Sequence, residues 1–541
     1  MKKKEHLILA AIFLAGLAVR ILFFRHEVFI GNNPAFFARL GKNLVENGMY
    51  AFGENYNMGL FFPPGYPTFV GLMNLLVNDL FLSGKLVSLV ASLITIIIFY
   101  MIGKEIYNKE AGLFAAFAFA ALPLALKMSV VGQTDALFYC FAFLSIYLFI
   151  VSARKDNLLI YIPAGILTGM AYLTRPEGLL LLLLPFLCSD SLNPFRNKRQ
   201  LLKITIVFSL FILVISPYLL FVQKSTGKFS LSGKSSTAAF IAEMSESYHE
   251  LMNIEGNPDY DSALYSLNAE KNQVRLFDEN SQVSFVGFVA KHPASFLKKY
   301  GKNIIEEQKI FIKLLAPIML PLFFAFFTRD LLRAKSRLIF ILFPLMFFLI
   351  NPAVLIMERH ALLSVLFLII FSSVGFANSG SALSIILDFY EIGKNRLASL
   401  AVKNIKYIII TVFIMSTVPY LMFSNAVKTA FPVEAVNAGR YLKNNISAEY
   451  EKLNVMSRQP WVSFYSDARF TWLPYADIAD LVHFAKLYKV DYIVIDERLL
   501  GKWKFYDRLT QMDKYSDDVT LAYEDRSGRL IKLFRVNYKK G

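Results

Sequence analysis

Residues 83–103 read SGKLVSLVASLITIIIFYMIG, and Lys85 is the one charged side chain among them. A helix needs about 20 apolar residues to cross the hydrocarbon of a bilayer, and this stretch is long and apolar enough to do so. Working outward, runs of the same character lie at 7–24, 111–127, 134–153, 158–174, 202–222, 338–356, 360–377 and 406–423. Two weaker runs, 178–188 and 312–328, bring the expected count to roughly eleven spans. The segment 68–78 is apolar but short, which suits an interfacial or re-entrant element.

The composition agrees. Of 541 residues, 56% are hydrophobic and 18% charged, and Phe alone fills 51 positions. A soluble domain carries roughly 45–50% and about 25%. A soluble enzyme, a disordered chain and a collagen-like fibre are thereby excluded. The net charge of +16 would suit a nucleic-acid binder, but such proteins lack this apolar content. Cys140 and Cys188 sit inside apolar runs and form neither a disulfide framework nor a metal-ligand pattern. The N-terminus resembles a signal peptide, yet no small-x-small cleavage site follows Phe24, and Arg20 is placed to anchor a retained helix. It is read as an uncleaved first span.

Loop charge alternates along the chain. Lys2–Lys4, Lys104, Lys109, Arg154, Lys155, Arg196, Lys198, Arg199, Arg329, Arg333, Lys335, Arg337, Lys394, Arg396 and Lys403 fall on one side. The positive-inside rule makes that side cytoplasmic. The opposite side holds loop 25–82, the turns at 128–134, 174–178 and 356–360, the stretch 223–311 and the tail. The expected fold class is an α-helical polytopic membrane protein with a small C-terminal α/β domain. The division expected is 1–423 for the membrane part and 424–541 for a soluble extracytoplasmic domain. In the tail the pattern predicts a helix near 476–489 and strands at 492–495 and 530–536. Phe285, Phe288, Phe296 and Tyr300 recur among lysines, which suits helices lying in the interface. Gly165 and Gly169 form GxxxG, read as close helix packing.

Unusual polar residues gather at span edges on the outer face. Asn32, Asn33 and Glu54 lie in the first loop, ahead of Pro63-Pro-Gly-Tyr-Pro67. Asp135 opens the fourth span, Arg175-Pro-Glu-Gly178 links the fifth and sixth, and Glu358-Arg-His360 links the ninth and tenth. Such a set suits an anionic lipid headgroup: Arg and Lys hold phosphate, and a carboxylate takes a hydroxyl proton. Plainer readings stand beside these. Asp135 at a helix start is favoured by the macrodipole, Arg175, Pro176 and Glu177 are at home around helix ends, and Arg359 suits snorkelling. Asp259-Tyr-Asp261 is a string that can bind a divalent ion but arises easily in a polar loop. No HExxH, GxGxxG or Walker A sequence is present, which argues against zinc proteolysis, dinucleotide binding and ATP-driven transport.

The first loop with its Pro63-Pro-Gly-Tyr66-Pro motif, Asp135, Leu173-Thr-Arg-Pro-Glu-Gly178, Glu358-Arg-His-Ala-Leu362 and the tail segment Val490–Asp496 together resemble GT-C glycosyltransferases. The protein O-mannosyltransferase and lipid A aminoarabinose transferase group is the nearest match. The resemblance implies transfer of a sugar from a polyprenyl-phosphate carrier to a hydroxyl of a lipid, glycan or protein, at the outer face of the plasma (inner) membrane. It implies no nucleic-acid partner and no cofactor, with a divalent cation as an open possibility. Carried over by position, Asp135, Asn33 and Glu54 are the catalytic candidates. Tyr66, Lys85, Lys127, Arg175, Glu177, Arg359 and His360 are the substrate-binding candidates. The interfacial helices would line a groove for the prenyl tail. One departure is plain: the family carries an acid where Asn33 stands, and an amide cannot take a proton at neutral pH. Asp135 or Glu54 is then the base expected, with Asp135 favoured. A flippase of lipid-linked saccharide, or a non-catalytic subunit of an envelope-assembly complex, are the competing expectations; the first would call for repeated halves and mid-membrane charge.

Overall fold

The computed structural model describes residues 2–188, 197–231, 258–278, 285–327, 335–354, 356–392, 395–426, 431–445 and 453–538. Arg196, Arg329, Arg333 and Lys394 of the basic loops lie outside them. The chain forms two compact units. The first comprises Met1–Val28, Leu82–Phe229 and Ile304–Val427, the second Phe29–Phe81, Ser230–Asn303 and Lys428–Gly541.

Among the described residues, seven helices are long and apolar enough to cross a membrane: Lys3–His26, Leu80–Ile106, Thr134–Lys155, Lys198–Thr226, Pro293–Phe326, Glu358–Phe389 and Arg396–Val418. Shorter apolar helices occupy Leu158–Thr174, Pro176–Leu187 and Ile339–Ala353. The protein is a multi-pass membrane protein. The run 111–127, expected as one span, is two helices, Lys109–Ala121 and Pro123–Met128, with Leu122 extended between them. Pro123 has no N–H to continue the first helix and takes the opening position of the second.

Helix Glu358–Phe389 lies at the centre of the first unit. Its apolar window is 83% buried, against 11% for the first helix and 22% for Arg396–Val418. Rings explain the difference: Phe367 meets Phe343 at 5.2 Å and Phe143 at 5.0 Å, and Phe376 stacks on Phe114 at 4.3 Å. Backbone contact completes the packing. A Cβ on Gly375 would stand 1.9 Å from the Pro321 carbonyl oxygen, and one on Gly169 would stand 2.7 Å from Val214 Cβ. The GxxxG pair thus packs helix Tyr161–Thr174 against Lys198–Thr226, as expected.

Arg20 anchors the first helix to its neighbours from within the helix packing. It is 0% exposed and ties three helices together, donating to Ser92 Oγ at 2.9 Å and to the carbonyls of Gly16 and Ala120 at 3.2 and 3.1 Å. A cation removed from water has to collect dipoles in this way, and the ring of Phe119 adds to them at 5.7 Å.

The second unit is built on a five-stranded sheet. Its strands are β1 (Asn454–Ser457), β2 (Arg469–Trp472), β3 (Tyr492–Asp496), β4 (Val519–Asp525) and β5 (Ile531–Val536), in the order β2-β1-β3-β5-β4. β1 pairs parallel with β2 and β3, whereas β5 runs antiparallel to both β3 and β4. The two strands and the helix expected from the sequence are present, the helix as Ile478–Leu487. Strands β1, β2 and β4 are additional.

The sequence division at 423/424 is not the one the contacts draw. Segments of both outer loops pack with the tail. Phe36 stacks on Trp472 at 5.6 Å, Tyr56 on Phe277 at 4.2 Å, and Arg39, 5% exposed, pairs with Asp467 at 2.6 Å. Asp261 is 0% exposed and accepts from Arg458 and from Trp503 Nε1, each at 2.8 Å. Half of the DxD string is therefore committed to the fold. Helix Gly65–Val77 covers the 68–78 segment and leaves Leu72, Leu75 and Leu76 exposed, as an interfacial element would.

Two outcomes follow from these contacts. Gly375→Ala should destabilise the detergent-solubilised protein by about 1–3 kcal/mol through overpacking. Gly380→Ala, whose Cβ would meet nothing nearer than 3.7 Å, should melt like wild type. In the tail, burial and the neighbouring Glu434 push the Asp496 carboxyl up to about 7. An acid that holds its proton longer when folded loses stability as pH rises from about 4 towards 7, because the unfolded chain has already released that proton. Asp496→Asn should therefore raise the melting midpoint at pH 8 and change it little at pH 4. The amide can still accept the Arg498 N–H, which lies 2.8 Å from the native carboxylate.

Candidate functional site

Helix Tyr161–Thr174 ends at Arg175, whose backbone is extended (φ −149°, ψ 134°). Pro176 then opens a 3-10 helix, Pro176–Leu183, with Glu177 in its first turn. The helix-end readings of the sequence describe this backbone correctly. They do not describe the side chains. Arg175 donates to Glu177 Oε1 from Nε at 3.2 Å and from Nη2 at 2.6 Å, and its Nη1 donates to Asp135 Oδ1. Asp135 is the second residue of helix Thr134–Lys155. Its side chain is 0% exposed, and Oδ2 has no hydrogen-bond partner among the described residues.

A buried guanidinium between two carboxylates is more than a cap. Burial pulls the Arg175 guanidinium down, but Glu177 and Asp135 outweigh it and hold the group above the usual arginine range. The carboxylates are themselves tolerable out of water only because of that cation. The pair-and-one arrangement carries a net formal charge of −1.

Arg359 brings the charge back to zero. It stands at the start of helix Glu358–Phe389, and its Nη1 donates to Gln133 Oε1 at 2.6 Å. Its Nε is buried with no partner, and among the described residues no carboxylate forms an ion pair with it. Tyr139 donates to the Arg359 carbonyl at 3.2 Å. Arg175, Glu177, Arg359, His360, Tyr139 and Asn351 line one tight cavity of about 10 Å³, room for a single water. Behind it, Asn351 Nδ2 donates to Glu307 Oε1 at 2.9 Å, and Glu307 is 1% exposed.

The structure therefore brings together Asp135, Arg175, Glu177, Arg359 and His360 within the first unit. Gln133, Tyr139, Asn351 and Glu307 were not anticipated. Asn351 is a lone amide in an apolar run, and Gln133 sits two residues before Asp135 in an outer turn; both were visible signals. Lys85 and Lys127 also belong to the first unit. Lys85 is buried, and its ammonium caps the end of the first helix, donating to the carbonyls of Phe24 and Glu27 at 2.6 Å each. That is a structural task rather than a phosphate clamp. Lys127 is exposed. Burial raises the Glu27 carboxyl, and Lys85 and Lys127 counter part of that rise.

Asn33, Glu54 and Tyr66 belong to the second unit. Asn33 lies in the first turn of helix Asn32–Asn47 and is partly exposed. Glu54 faces Arg469 at 3.6 Å, beside the edge strand β2. Tyr66 is 0% exposed and packs edge-on against Phe37 at 5.5 Å, the position of a core residue and not of a substrate contact. Among the described residues no three His, Cys, Asp or Glu side chains converge as metal ligands.

Residues 62–221 match the model of the dolichyl-phosphate-mannose-protein mannosyltransferase family. No curated protein sequence matches the chain. Among solved structures, ArnT from Cupriavidus metallidurans bound to undecaprenyl phosphate is 13% identical with a TM-score of 0.58, over 97% of both chains. The oligosaccharyltransferase AglB from Archaeoglobus fulgidus, in complex with an inhibitory peptide and a dolichol-phosphate, is 12% identical with a TM-score of 0.57, over 99% of this chain and 74% of that one. The same Archaeoglobus enzyme in complex with Zn and sulfate gives 14% and 0.59, over 97% and 72%. The fold is the GT-C fold.

The Asp135–Arg175–Glu177 cluster should behave as a unit. Arg175→Met alone should cost about 3–5 kcal/mol by leaving two carboxylates without their cation, and Asp135→Asn, which leaves Arg175 paired with Glu177, should cost less. The double variant should cost less than the sum of the two, a non-additivity that a thermal-melt cycle in detergent measures directly.

Proposed function

We propose that this protein is a membrane glycosyltransferase that moves a sugar from a polyprenyl-phosphate carrier to an acceptor hydroxyl. The observation that carries the reading is Arg359, a largely buried guanidinium with no acid of its own, in a cavity shared with an arginine–carboxylate cluster. A largely buried cation whose partner is a neutral amide and not an acid is a standing site for an anion. The GT-C fold and the family match over residues 62–221 support a lipid phosphate as that anion.

In this reading Arg359, oriented by Gln133, takes the phosphate of the carrier. The phosphate leaves already ionised, so the chemistry asks for a fixed cation at the leaving group and a base beside the acceptor. Arg175 is neutralised in advance by two carboxylates, which makes it a positioning residue. It holds Asp135 Oδ1 and leaves Oδ2 as the atom that receives the acceptor's proton. Glu177 and Asn351 hydrogen-bond sugar hydroxyls. Because Asn351 gives an N–H to Glu307, its carbonyl oxygen is the group left for a hydroxyl donor.

The distribution of Lys and Arg in the loops supports a carrier on the outer face of the plasma membrane, an N-terminus in the cytoplasm and residues 424–541 outside. Lipid, glycan and protein hydroxyls remain the acceptor class.

Purified protein in detergent, given a panel of polyprenyl-phosphate sugars and a membrane extract as acceptor, should release free polyprenyl phosphate detectable by mass spectrometry. Arg359→Gln and Asp135→Asn should each lower release by about 10²-fold or more. Asn33→Asp, which restores the family's acid, should bring no gain if Asp135 is the base. Equal release by wild type and Asp135→Asn would remove Asp135 from the chemistry. No release with any donor would overturn the assignment.

A further inference from the structure

The second unit carries a groove lined by none of the residues assigned above to the transfer reaction. It has a volume of about 500 Å³, within the ~300–1,000 Å³ of small-molecule sites. Its floor is one face of helix Ile478–Leu487, presenting Ile478, Val482, His483 and Lys486 at helical spacing. The facing wall is the segment 505–518, with Phe505, Arg508, Tyr515 and Asp518.

The charges of this groove are unequally engaged. Asp477, at its end, accepts the Asp480 N–H at 3.0 Å and so caps its own helix. Asp518 pairs with Lys486 at 2.7 Å. Arg508 and His483 are exposed, and among the described residues neither has a carboxylate partner. Arg508 instead lies against the ring of Tyr515, 5.1 Å from its centre, and that ring is 55% exposed. Phe505 is held edge-on by Trp503 at 5.7 Å and tilted against Tyr475 at 4.9 Å. The wall is thus a firm aromatic surface with a free guanidinium on it, opposite a donor–acceptor pair.

Each feature selects for a part of one ligand class. Flat rings present a face to the C–H side of a pyranose, whereas a bare inorganic anion has no use for them. The Lys486–Asp518 pair offers both a donor and an acceptor to vicinal hydroxyls. A guanidinium without an acid receives a carboxylate in a two-pronged hydrogen bond. We propose that this groove binds an acidic saccharide, with a uronate carboxylate on Arg508, a sugar face on Tyr515 and hydroxyls on Lys486 and Asp518. This second saccharide site is read by binding without transfer, so it stands or falls separately from the transferase reading.

The test titrates the full-length protein in detergent with trigalacturonate, followed by saturation-transfer NMR. Neutral maltotriose and inorganic phosphate serve as the other probes. Saturable trigalacturonate binding is expected. Arg508→Gln should weaken it about tenfold or more and Tyr515→Ala about three- to tenfold, both with an unchanged melting midpoint. Absence of saturable binding by wild type, or equal binding by wild type and both variants, would overturn the proposal. Maltotriose binding as tight as trigalacturonate would remove the acidic part of it. Complete displacement by phosphate, with no effect of Tyr515→Ala, would reduce the groove to a simple anion site.

Discussion

A guanidinium out of water has to be met by charge, and Arg175 meets that demand with Asp135 on one side and Glu177 on the other. The contact ties the start of helix Thr134–Lys155 to the end of helix Tyr161–Thr174 and to the short 3-10 turn that follows. Asp135, fully buried, and Arg175, nearly so, would each be a stranded ion alone, whereas Glu177 keeps part of its surface in reach of solvent. Their mutual satisfaction fixes one wall of the cavity that Arg359 and His360, from helix Glu358–Phe389, also line. The cluster is therefore an electrostatic balance: one arginine is neutralised by carboxylates, and the other has an amide but no acid against it.

The second unit rests on a different constraint. Its sheet is short, and much of its core comes from rings supplied by chain segments far away in sequence. Phe36, Phe277 and Tyr265 all lie against Trp472. Arg39 adds a buried ion pair with Asp467 and donates to the carbonyl of Phe464 at 2.6 Å. Polar outer loops joined by hydrophobic spans thus gain a common core by pooling aromatics, each of which buries far more area than its share of the chain.

How much of this was legible can be judged residue by residue. The helix-breaking role of Pro123 was open to inspection in the sequence, and the run 111–127 should have been cut there on the missing N–H alone. Gly165 and Gly169 were read correctly because close packing is a local property of small side chains. Lys85 shows the limit of sequence reading: a lysine near the end of a span looks available, and only the structure shows its ammonium bonded to the Phe24 and Glu27 carbonyls at the end of the first helix. Tyr66 misled for the same reason, since a tyrosine in a Pro-Gly-Tyr-Pro turn gives no sign of whether its ring faces a core or a ligand. Asn351 and Glu307 lie in separate segments, and nothing local marks them as a pair.

By itself, then, the sequence determined that the chain crosses a membrane many times, roughly where it does so, which loops carry the polar residues, and that the tail is a mixed α/β unit. Those properties follow from hydrophobicity, helix rise and strand alternation, which act over neighbouring residues. The tertiary structure alone decided which arginine is neutralised and which is left unpaired, which candidates are core, and which loops share the tail's core. Those outcomes depend on charges and rings that meet only after distant segments have been brought together, and the energy of such a meeting is not written in either segment taken alone.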